Sequence, residues 1–377
     1  MAQGKKGSGG QRCNVCGTTE NLLPDPNNTG GYKSRCAGCN AEQSAQWRER
    51  KKAERLGMPA PIQEPPAFDV PALPDDVAPV EELRERRCRE WTRTKTAHDA
   101  RKIIPVHVFT EGPIGLAVFG DLHIDDPGTN FPLIERCTDL VRTTEGMFAC
   151  AVGDLQNAWI GRLARLWASQ SLSAQEAWRL VEWWVRSLDG RLLFINNGNH
   201  DLWSHNVNGI DPLEWIKGQQ TIVGKYGVRI QLCLPGGQTF NVNCRHDFQG
   251  RSEVNPAFGV TKATRFAGHV DDVALAGHIH TFGYNPIRNP VFGKVCHPMR
   301  VASFKTIDDY AMEGGFPDSN VTECPVIIFD TTCPDARHVV HIDFNPERGA
   351  RMLTMLRREW ATKQAKSKDS SGKRRAA

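Results

Sequence analysis

The sequence lacks long hydrophobic runs, and this absence excludes a membrane protein of the helical type. No uninterrupted apolar stretch approaches the roughly 18 residues that a membrane-spanning helix needs. The residues after Met1 are mostly Gly, Lys and Ser, not the apolar segment of a secretory signal. Internal repeats are also absent, apart from two short cysteine pairs. We therefore expect a cytoplasmic protein that makes no membrane contact.

The chain also lacks a strong charge of either sign. Its 377 residues carry a formal net charge of +4, so overall charge implies no nucleic-acid partner by itself. Both ends are nevertheless basic, with Lys5 and Lys6 near the start and Arg374 and Arg375 near the end. Such tails either bind polyanions or are simply solvated. The length is sufficient for one large domain or two domains with a real core.

Four of the 12 cysteines form two Cys-x-x-Cys pairs near the start of the chain. In a reducing compartment, clustered cysteines are more often metal ligands than disulfides. The 17–35 segment between the pairs has the spacing of about 15–20 residues that is typical of zinc sites. A closed structural zinc site is therefore predicted, with a redox pair as the alternative, at Cys13, Cys16, Cys36 and Cys39. This unit resembles the small zinc ribbons of many nucleic-acid-handling proteins.

Composition divides the chain into four segments. Residues 1–57 hold the cysteines and a basic stretch around Trp47, which is either a nucleic-acid contact or a solvated helix face. Residues 58–79 are rich in proline and indicate a semi-extended linker. Residues 80–344 form the main domain, and residues 345–377 a final helix with a basic tail.

In the main domain, apolar strand-like runs alternate with helical patterns. Strands are predicted at 114–119, 148–152, 192–195 and 273–276, and the second half is richer in strands than the first. A helical span is predicted over 159–188. It carries five tryptophans, which form either a buried face or a base-stacking surface. The fold class is therefore α/β (α+β), with one central sheet or two stacked sheets flanked by helices.

Several of these strands end in residues that can bind metal ions. Side chains at the carboxyl ends of neighbouring strands point into one crevice. Mixed oxygen and nitrogen donors suit a pair of divalent cations such as Mn, Fe, Zn or Mg. The five segments concerned are 120–123 (GDLH), 153–154 (GD), 198–201 (GNHD), His246 and 277–280 (GHIH).

Together and in this order, the five segments resemble the calcineurin-like metallophosphoesterase family. The resemblance covers about residues 114–280 and implies a β-sandwich flanked by helices. It assigns Asp121, His123 and His280 to one metal ion, and Asn199, His246 and His278 to another. Asp154 is the implied bridge, since a carboxylate has lone pairs on both oxygens.

The resemblance also implies a role for His200, which is not a metal ligand in the family. It matches the residue that protonates the leaving oxygen or stabilises its charge, and either Asp201 or the backbone is expected to orient it. Arg245, which precedes His246, is predicted to hold substrate phosphate, with a structural ion pair as the alternative.

Three functions remain open at this stage. The leading one is a metal-dependent phosphodiesterase or nuclease that uses manganese or a similar ion and acts on DNA or RNA. A phage origin is suggested by analogy, which would place the protein in the host cytoplasm. The second is a phosphomonoesterase acting on phosphoprotein or a nucleotide. The third is a nucleic-acid or protein binding module with a vestigial hydrolase domain. The sequence does not indicate the oligomeric state.

Overall fold

The computed structural model divides the chain into two compact units. These are Met1–Leu83 and Arg84–Ala377, and each is described by itself. Most of the predicted linker, residues 58–75, lies outside the described residues, as do the lysines near Met1. The structure describes residues 12–18, 22–24, 32–57, 76–252, 254–268, 270–291, 293–307, 312, 315, 324–335 and 337–375.

The first unit is a small ribbon followed by a helix. Strands β1 (Leu22–Pro24) and β2 (Tyr32–Cys36) pair in antiparallel fashion, and α1 (Ala37–Arg55) begins directly after β2. Helix α1 has no buried residue. The buried cluster in this unit is small and consists of cysteines together with Leu22. An apolar core of this size cannot hold a fold by itself, which is the condition under which small domains use a metal ion.

The second unit contains a six-stranded sheet in the order β15-β14-β4-β5-β6-β7. Strands β4 to β7 run parallel, and β14 and β15 extend the sheet in antiparallel fashion. Strand bounds are β4 (Ile114–Phe119), β5 (Met147–Ala151), β6 (Leu192–Asn196), β7 (Ile222–Gly224), β14 (Val326–Phe329) and β15 (Val340–Asp343).

A seven-stranded sheet lies in the same unit, in the order β11-β13-β10-β9-β8-β3, with β12 also paired to β13. Strands β9, β10 and β13 run parallel to one another. The bounds are β3 (Ile104–His107), β8 (Val228–Cys233), β9 (Thr239–Cys244), β10 (Val273–Ala276), β11 (Gly283–Tyr284), β12 (Ile287–Arg288) and β13 (Val295–Arg300).

The main core lies between the two sheets. Alternate residues of β4, including Leu116 and Val118, pack in one buried cluster with Val242 of β9 and Leu275 of β10. This follows from the two-residue period of a strand, which sends successive side chains to opposite faces. The other face of β4, with Phe119, belongs to a second cluster formed with helices. Both faces of β4 are buried, which explains its continuous apolar run.

Helices cover the outer faces of both sheets. Helices α3, α4 and α8 pack on the six-stranded sheet, and α7 packs on the seven-stranded one. The predicted fold class, two sheets flanked by helices with a small N-terminal four-cysteine unit, is therefore confirmed. Helix bounds are α2 (Val80–Ala100), α3 (Phe131–Thr143), α4 (Ala174–Ser187), α5 (Asn199–Asn208), α6 (Leu213–Ile216), α7 (Phe258–Phe266) and α8 (Pro346–Arg375).

The predicted helical span over 159–188 is broken in the structure. A 3-10 helix at Gly161–Ser169 precedes α4, which begins with Ser173 as its N-cap. The Ser173 side chain accepts from the N–H of Glu176, whose carboxylate accepts from Ser173 N–H, so that a capping box starts a new helix here. Trp184 is buried in the helix–sheet core, whereas Trp159 lies at the carboxyl end of the six-stranded sheet.

Candidate metal centres

The residues predicted to bind metal ions come from both sheets of the second unit. Asp121 and His123 follow β4, Asp154 follows β5, and Asn199 opens α5 after β6. The other three follow strands of the seven-stranded sheet: His246 after β9, and His278 and His280 after β10. The carboxyl ends of parallel strands in the two sheets therefore meet at one end of the sandwich. All seven side chains converge there.

The first group consists of Asp121, His123 and His280. The Nε2 atoms of the two histidines lie 3.1 Å apart, and His280 Nε2 lies 3.6 Å from Asp121 Oδ2. One donor atom from each residue lies within 4.8 Å of the others. Asp121 is fully buried and His123 nearly so. These three atoms surround one position that a cation can occupy.

The second group surrounds Nε2 of His246. This atom lies 3.0 Å from Asp154 Oδ2, 3.1 Å from Asn199 Oδ1 and 3.2 Å from Nδ1 of His278. Asp154 also shares a cluster with His123 and His200, in which donor atoms again lie within 4.8 Å. The Asp154 carboxylate therefore stands between the two groups.

An unpaired buried oxygen indicates that the first group is suited to a cation. Asp121 Oδ1 is buried without a hydrogen-bond partner, which is costly in the absence of a ligand. The backbone is strained here as well. Asp154 has φ of +50°, His278 of +75° and His280 of +61°, values that non-glycine residues rarely adopt. Strain of this kind collects where a site demands a particular side-chain direction. The donor set fits divalent cations.

Charges within the centre shift the protonation of its members. Burial raises the pKa of Asp121 to about 6, although His246 and His280 oppose it. Burial also opposes ionisation of Asp154, but the positive field of His246 and His200 outweighs it and lowers the pKa of Asp154. His246 has its pKa raised to about 10, because Asp154 and Asp121 together outweigh the effect of burial. Burial lowers the pKa of His123, and lowers the pKa of His278 to about 4, which favours the neutral ring that binds a cation.

Two glycines allow the loops after β5 and β6 to approach each other. Gly153 has φ of +122°, and a Cβ atom there would lie 2.5 Å from the backbone nitrogen of Gly198. A Cβ atom on Gly198 would lie 2.0 Å from Oδ1 of Asp154. The Gly-Asp and Gly-Asn-His-Asp segments therefore need glycine for close backbone contact.

His200 points its Nε2 atom towards the centre. Its Nδ1 atom lies 2.5 Å from the backbone carbonyl oxygen of Asn157, and its Nε2 atom lies 3.9 Å from Asp154 Oδ2. Of the two groups predicted to orient this ring, Asp201 or the backbone, the structure shows the backbone.

The Asp201 carboxylate binds two backbone N–H groups, which is a different role from orienting His200. Its Oδ2 accepts from Gly198 N–H at 2.9 Å and its Oδ1 from Leu155 N–H at 3.1 Å. The buried carboxylate thereby ties the loop after β5 to the loop after β6. A local sequence pattern cannot reveal this role, because Leu155 lies far away along the chain.

Arg245, predicted to bind substrate phosphate, is exposed. Its side chain runs beside Gly227, where a Cβ atom would meet Arg245 Cγ at 3.0 Å. Arg245 follows strand β9 and directly precedes the buried His246. Because successive side chains of a strand face opposite sides, an exposed residue next to a buried one is expected here. Substrate binding by Arg245 stays a prediction.

Sequence reasoning missed a buried arginine beside the centre. Arg300, at the end of β13, is fully buried. It donates to the carbonyl oxygens of Pro256 and Gly277, and it pairs with Asp247 at 2.8 Å. These bonds hold the loops that carry His246 and His278. The nearest sequence signal is an arginine ending an otherwise apolar strand.

A polar network on the opposite side of the centre was also missed. Lys305 Nζ lies 3.0 Å from Oδ2 of Asp126, and only 7% of its side chain is exposed. Asn157 donates its side-chain N–H to the same Asp126 oxygen, and its backbone N–H to Asp125. The loops after β4 and β5 and the segment after β13 are therefore joined next to His123. No pattern along the sequence links these three segments.

The four predicted cysteines of the first unit also converge. Their sulfur atoms all lie within 4.8 Å of one another, and Cys16 Sγ lies 3.6 Å from Cys36 Sγ. Tetrahedral Zn²⁺ with Zn–S bonds of about 2.3 Å places sulfur atoms roughly 3.8 Å apart, which matches this spacing. Gly17, with φ of +71°, closes the first turn by donating to the carbonyl oxygen of Cys13.

Backbone N–H groups around this turn favour a thiolate. Bonds from Cys16, Cys36 and Val15 lower the pKa of Cys13 to about 6. The pKa of Cys39 is raised to about 12, mainly by its contact with Cys16. Thiolates crowded together repel one another, and a dication relieves that repulsion. The cluster therefore has the donor set and the spacing of a closed metal site.

Comparisons with known proteins found solved structures of low similarity. No family model and no curated protein matches the chain. Among solved structures, it is similar to Vps29 of Entamoeba histolytica in a zinc complex, at 14% identity and a TM-score of 0.31, over 61% of this chain and 97% of that one. It is also similar to Haemophilus influenzae NAD nucleotidase, at 10% identity and a TM-score of 0.33, over 61% of this chain and 49% of that one.

A further similar structure is the calcineurin-like phosphoesterase YfkN of Bacillus subtilis, at 12% identity and a TM-score of 0.28, over 66% of this chain and all of that one. Within the described residues, no helix is long and apolar enough to cross a membrane.

Proposed function

We propose that this protein is a metal-dependent phosphoesterase, and specifically a phosphodiesterase that acts on nucleic acid. The observation that carries the proposal is the position of Asp154. Its buried carboxylate stands between two groups of donors, each of which combines side chains that follow strands of both sheets. One carboxylate placed between two cation positions is the arrangement of a two-metal hydrolase.

Asp121, His123 and His280 would hold one ion, and Asn199, His246 and His278 the other, with Asp154 between them. A pair of divalent cations in this place lowers the pKa of a water molecule and neutralises the charge of a phosphoryl group. Mn, Fe, Zn and Mg all suit the mixed donors. The four cysteines would hold one structural Zn.

The chain itself supplies the proton for the leaving group. His200 keeps a proton on Nδ1 by donating to the Asn157 carbonyl oxygen, so its imidazolium form has a second proton on Nε2. That proton passes to the oxygen of the departing alcohol as the P–O bond breaks, and His200 is left neutral. Burial lowers the pKa of His200 more than Asp154 raises it. A lower pKa makes the imidazolium a stronger acid.

Features of the first unit support nucleic acid as the substrate. Helix α1 has no buried residue, and 60% of the surface of Trp47 is exposed. Basic residues with an exposed aromatic ring can hold a phosphate backbone and stack a base. They follow a four-cysteine ribbon, a type of module common in nucleic-acid binding. The basic residues of α1 from Trp47 onwards are Arg48, Arg50, Lys51, Lys52 and Arg55.

The proposal is tested by comparing two chromogenic substrates. We expect metal-depleted protein to be inactive, and added Mn²⁺, Zn²⁺ or Mg²⁺ to restore hydrolysis of bis(p-nitrophenyl) phosphate in preference to p-nitrophenyl phosphate. Preference for the monoester would make the protein a phosphomonoesterase. No metal-dependent turnover of either ester would leave a binding module as the better account.

A further inference from the structure

Two tryptophan rings lie against the ring of His200. The Trp203 ring lies 4.1 Å from the His200 ring, centroid to centroid, at an interplanar angle of 40°. The Trp159 ring lies 5.2 Å from His200 at 73°, and 6.4 Å from Trp203. His200 also meets the ring of His123 at 4.9 Å. His200 therefore contacts both a residue of the first donor group and the pair of tryptophans.

Local structure holds both tryptophans in place. His200 and Trp203 are three residues apart on α5, a spacing that puts them on one helix face. The Trp159 carbonyl oxygen accepts from the indole N–H of Trp167 at 2.8 Å. Lys305 Nζ lies 5.9 Å from the centre of the Trp159 ring, a cation–π distance. Both Trp159 and Trp203 are half-buried, so each ring keeps part of its surface open to solvent.

The orientation of His200 shows which part of a substrate would meet these rings. Because Nδ1 is held by Asn157, Nε2 faces Asp154, and the oxygen that His200 protonates must lie beside Nε2. The group attached to that oxygen therefore lies near His200, whose ring neighbours include Trp159 and Trp203. A flat apolar ring on the leaving group would contact them.

We propose that Trp159 and Trp203 form a stacking platform for an unpaired nucleobase on the leaving side of the phosphate. This inference rests on the proposed phosphoesterase function and narrows its substrate class to nucleotides or single-stranded nucleic acid. A paired base cannot present its face to a protein ring, whereas an unpaired base can. Stacking on tryptophan is strong and tolerates any base. If the rings served only to hold His200, a base on the ligand would add nothing to binding.

Binding measurements test the platform without requiring turnover. In Mg²⁺, calorimetric titration with adenosine 5′-monophosphate and with ribose 5-phosphate compares two ligands that differ only in the base. We expect the nucleotide to bind roughly 5- to 150-fold more tightly, the range that base–aromatic stacking supplies. Trp203→Ala should bring the ratio of the two dissociation constants close to one, and Trp203→Phe should retain part of the difference.

The control is Trp215→Ala, because Trp215 is 74% exposed on α6 and is not part of the ring cluster. It should leave the ratio at the wild-type value. Equal affinity of the wild type for the two ligands, or an unchanged ratio in Trp203→Ala, would overturn the platform. Binding of ribose 5-phosphate measures the state of the metal centre in each variant. A general loss of folding would weaken the binding of both ligands. In that case the affinity ratio of the Trp203→Phe variant decides whether the platform exists. Failure of the phosphoesterase proposal is seen separately, as absent hydrolysis of bis(p-nitrophenyl) phosphate.

Discussion

Replacing Asp201 with asparagine tests the role that the structure gives to this buried carboxylate. Each of its oxygens accepts one backbone bond, from Gly198 and from Leu155. Asparagine keeps one acceptor but turns a donor towards the other N–H group, so one hydrogen bond is lost and two buried donors face each other without an acceptor. On the basis of typical values for such losses, we expect destabilisation of about 2–4 kcal/mol.

The same substitution should loosen the metal centre, because Leu155 adjoins Asp154 and Gly198 adjoins Asn199. Outer-shell changes of this kind cost roughly 10- to 100-fold in metal affinity or activity. The measurements are thermal unfolding of the Mn-saturated protein, the dissociation constant for Mn²⁺, and kcat for bis(p-nitrophenyl) phosphate. Asp189→Asn is the matched control, because this residue is exposed and its side chain accepts only from the adjacent Gly190 N–H among the described residues. Surface changes of that type stay within about 0.5 kcal/mol.

One result would refute this reasoning. If Asp201→Asn kept its thermal stability and its affinity for Mn²⁺ while kcat alone fell, Asp201 would act on the reaction through His200. The role considered from the sequence would then be correct, and the contact between the two loops would be energetically unimportant.

Three further predictions address the site and the ribbon. Asp154→Asn should weaken metal binding in both groups and remove nearly all turnover, and a variant keeping more than about a tenth of the wild-type rate in saturating Mn²⁺ would contradict the bridging role. His200→Ala should retain its metal content while kcat falls by about 10²- to 10⁴-fold, and an equal fall in metal content would instead make His200 a ligand. Deleting residues 1–57 should leave hydrolysis of the chromogenic diester nearly unchanged, but should weaken binding to DNA or RNA and flatten its salt dependence. Equal affinity and equal salt slope would exclude the ribbon from nucleic-acid recognition.

The sequence by itself determined the strands that carry the ligands. The runs at 114–119 and 273–276 were predicted with the bounds observed, because they are continuously apolar and buried on both faces. Polar residues that directly follow such strands must lie at the strand ends, so the convergence of Asp121 and Asp154 was predictable as well. The cysteine cluster was predictable for a similar local reason, since two Cys-x-x-Cys turns at this spacing are typical of a four-cysteine zinc site.

Tertiary structure decided the rest. Helix α5 was missed because the Gly-Asn-His-Asp segment has no apolar periodicity, and its start is held by the bond between Asp201 and Gly198. The surroundings of His200 come from segments remote in sequence, including Trp159 and Lys305. A local pattern specifies the period of an element and which of its faces is apolar. It does not specify which distant loops will meet, because that depends on how the two sheets pack against each other and place the ends of their strands.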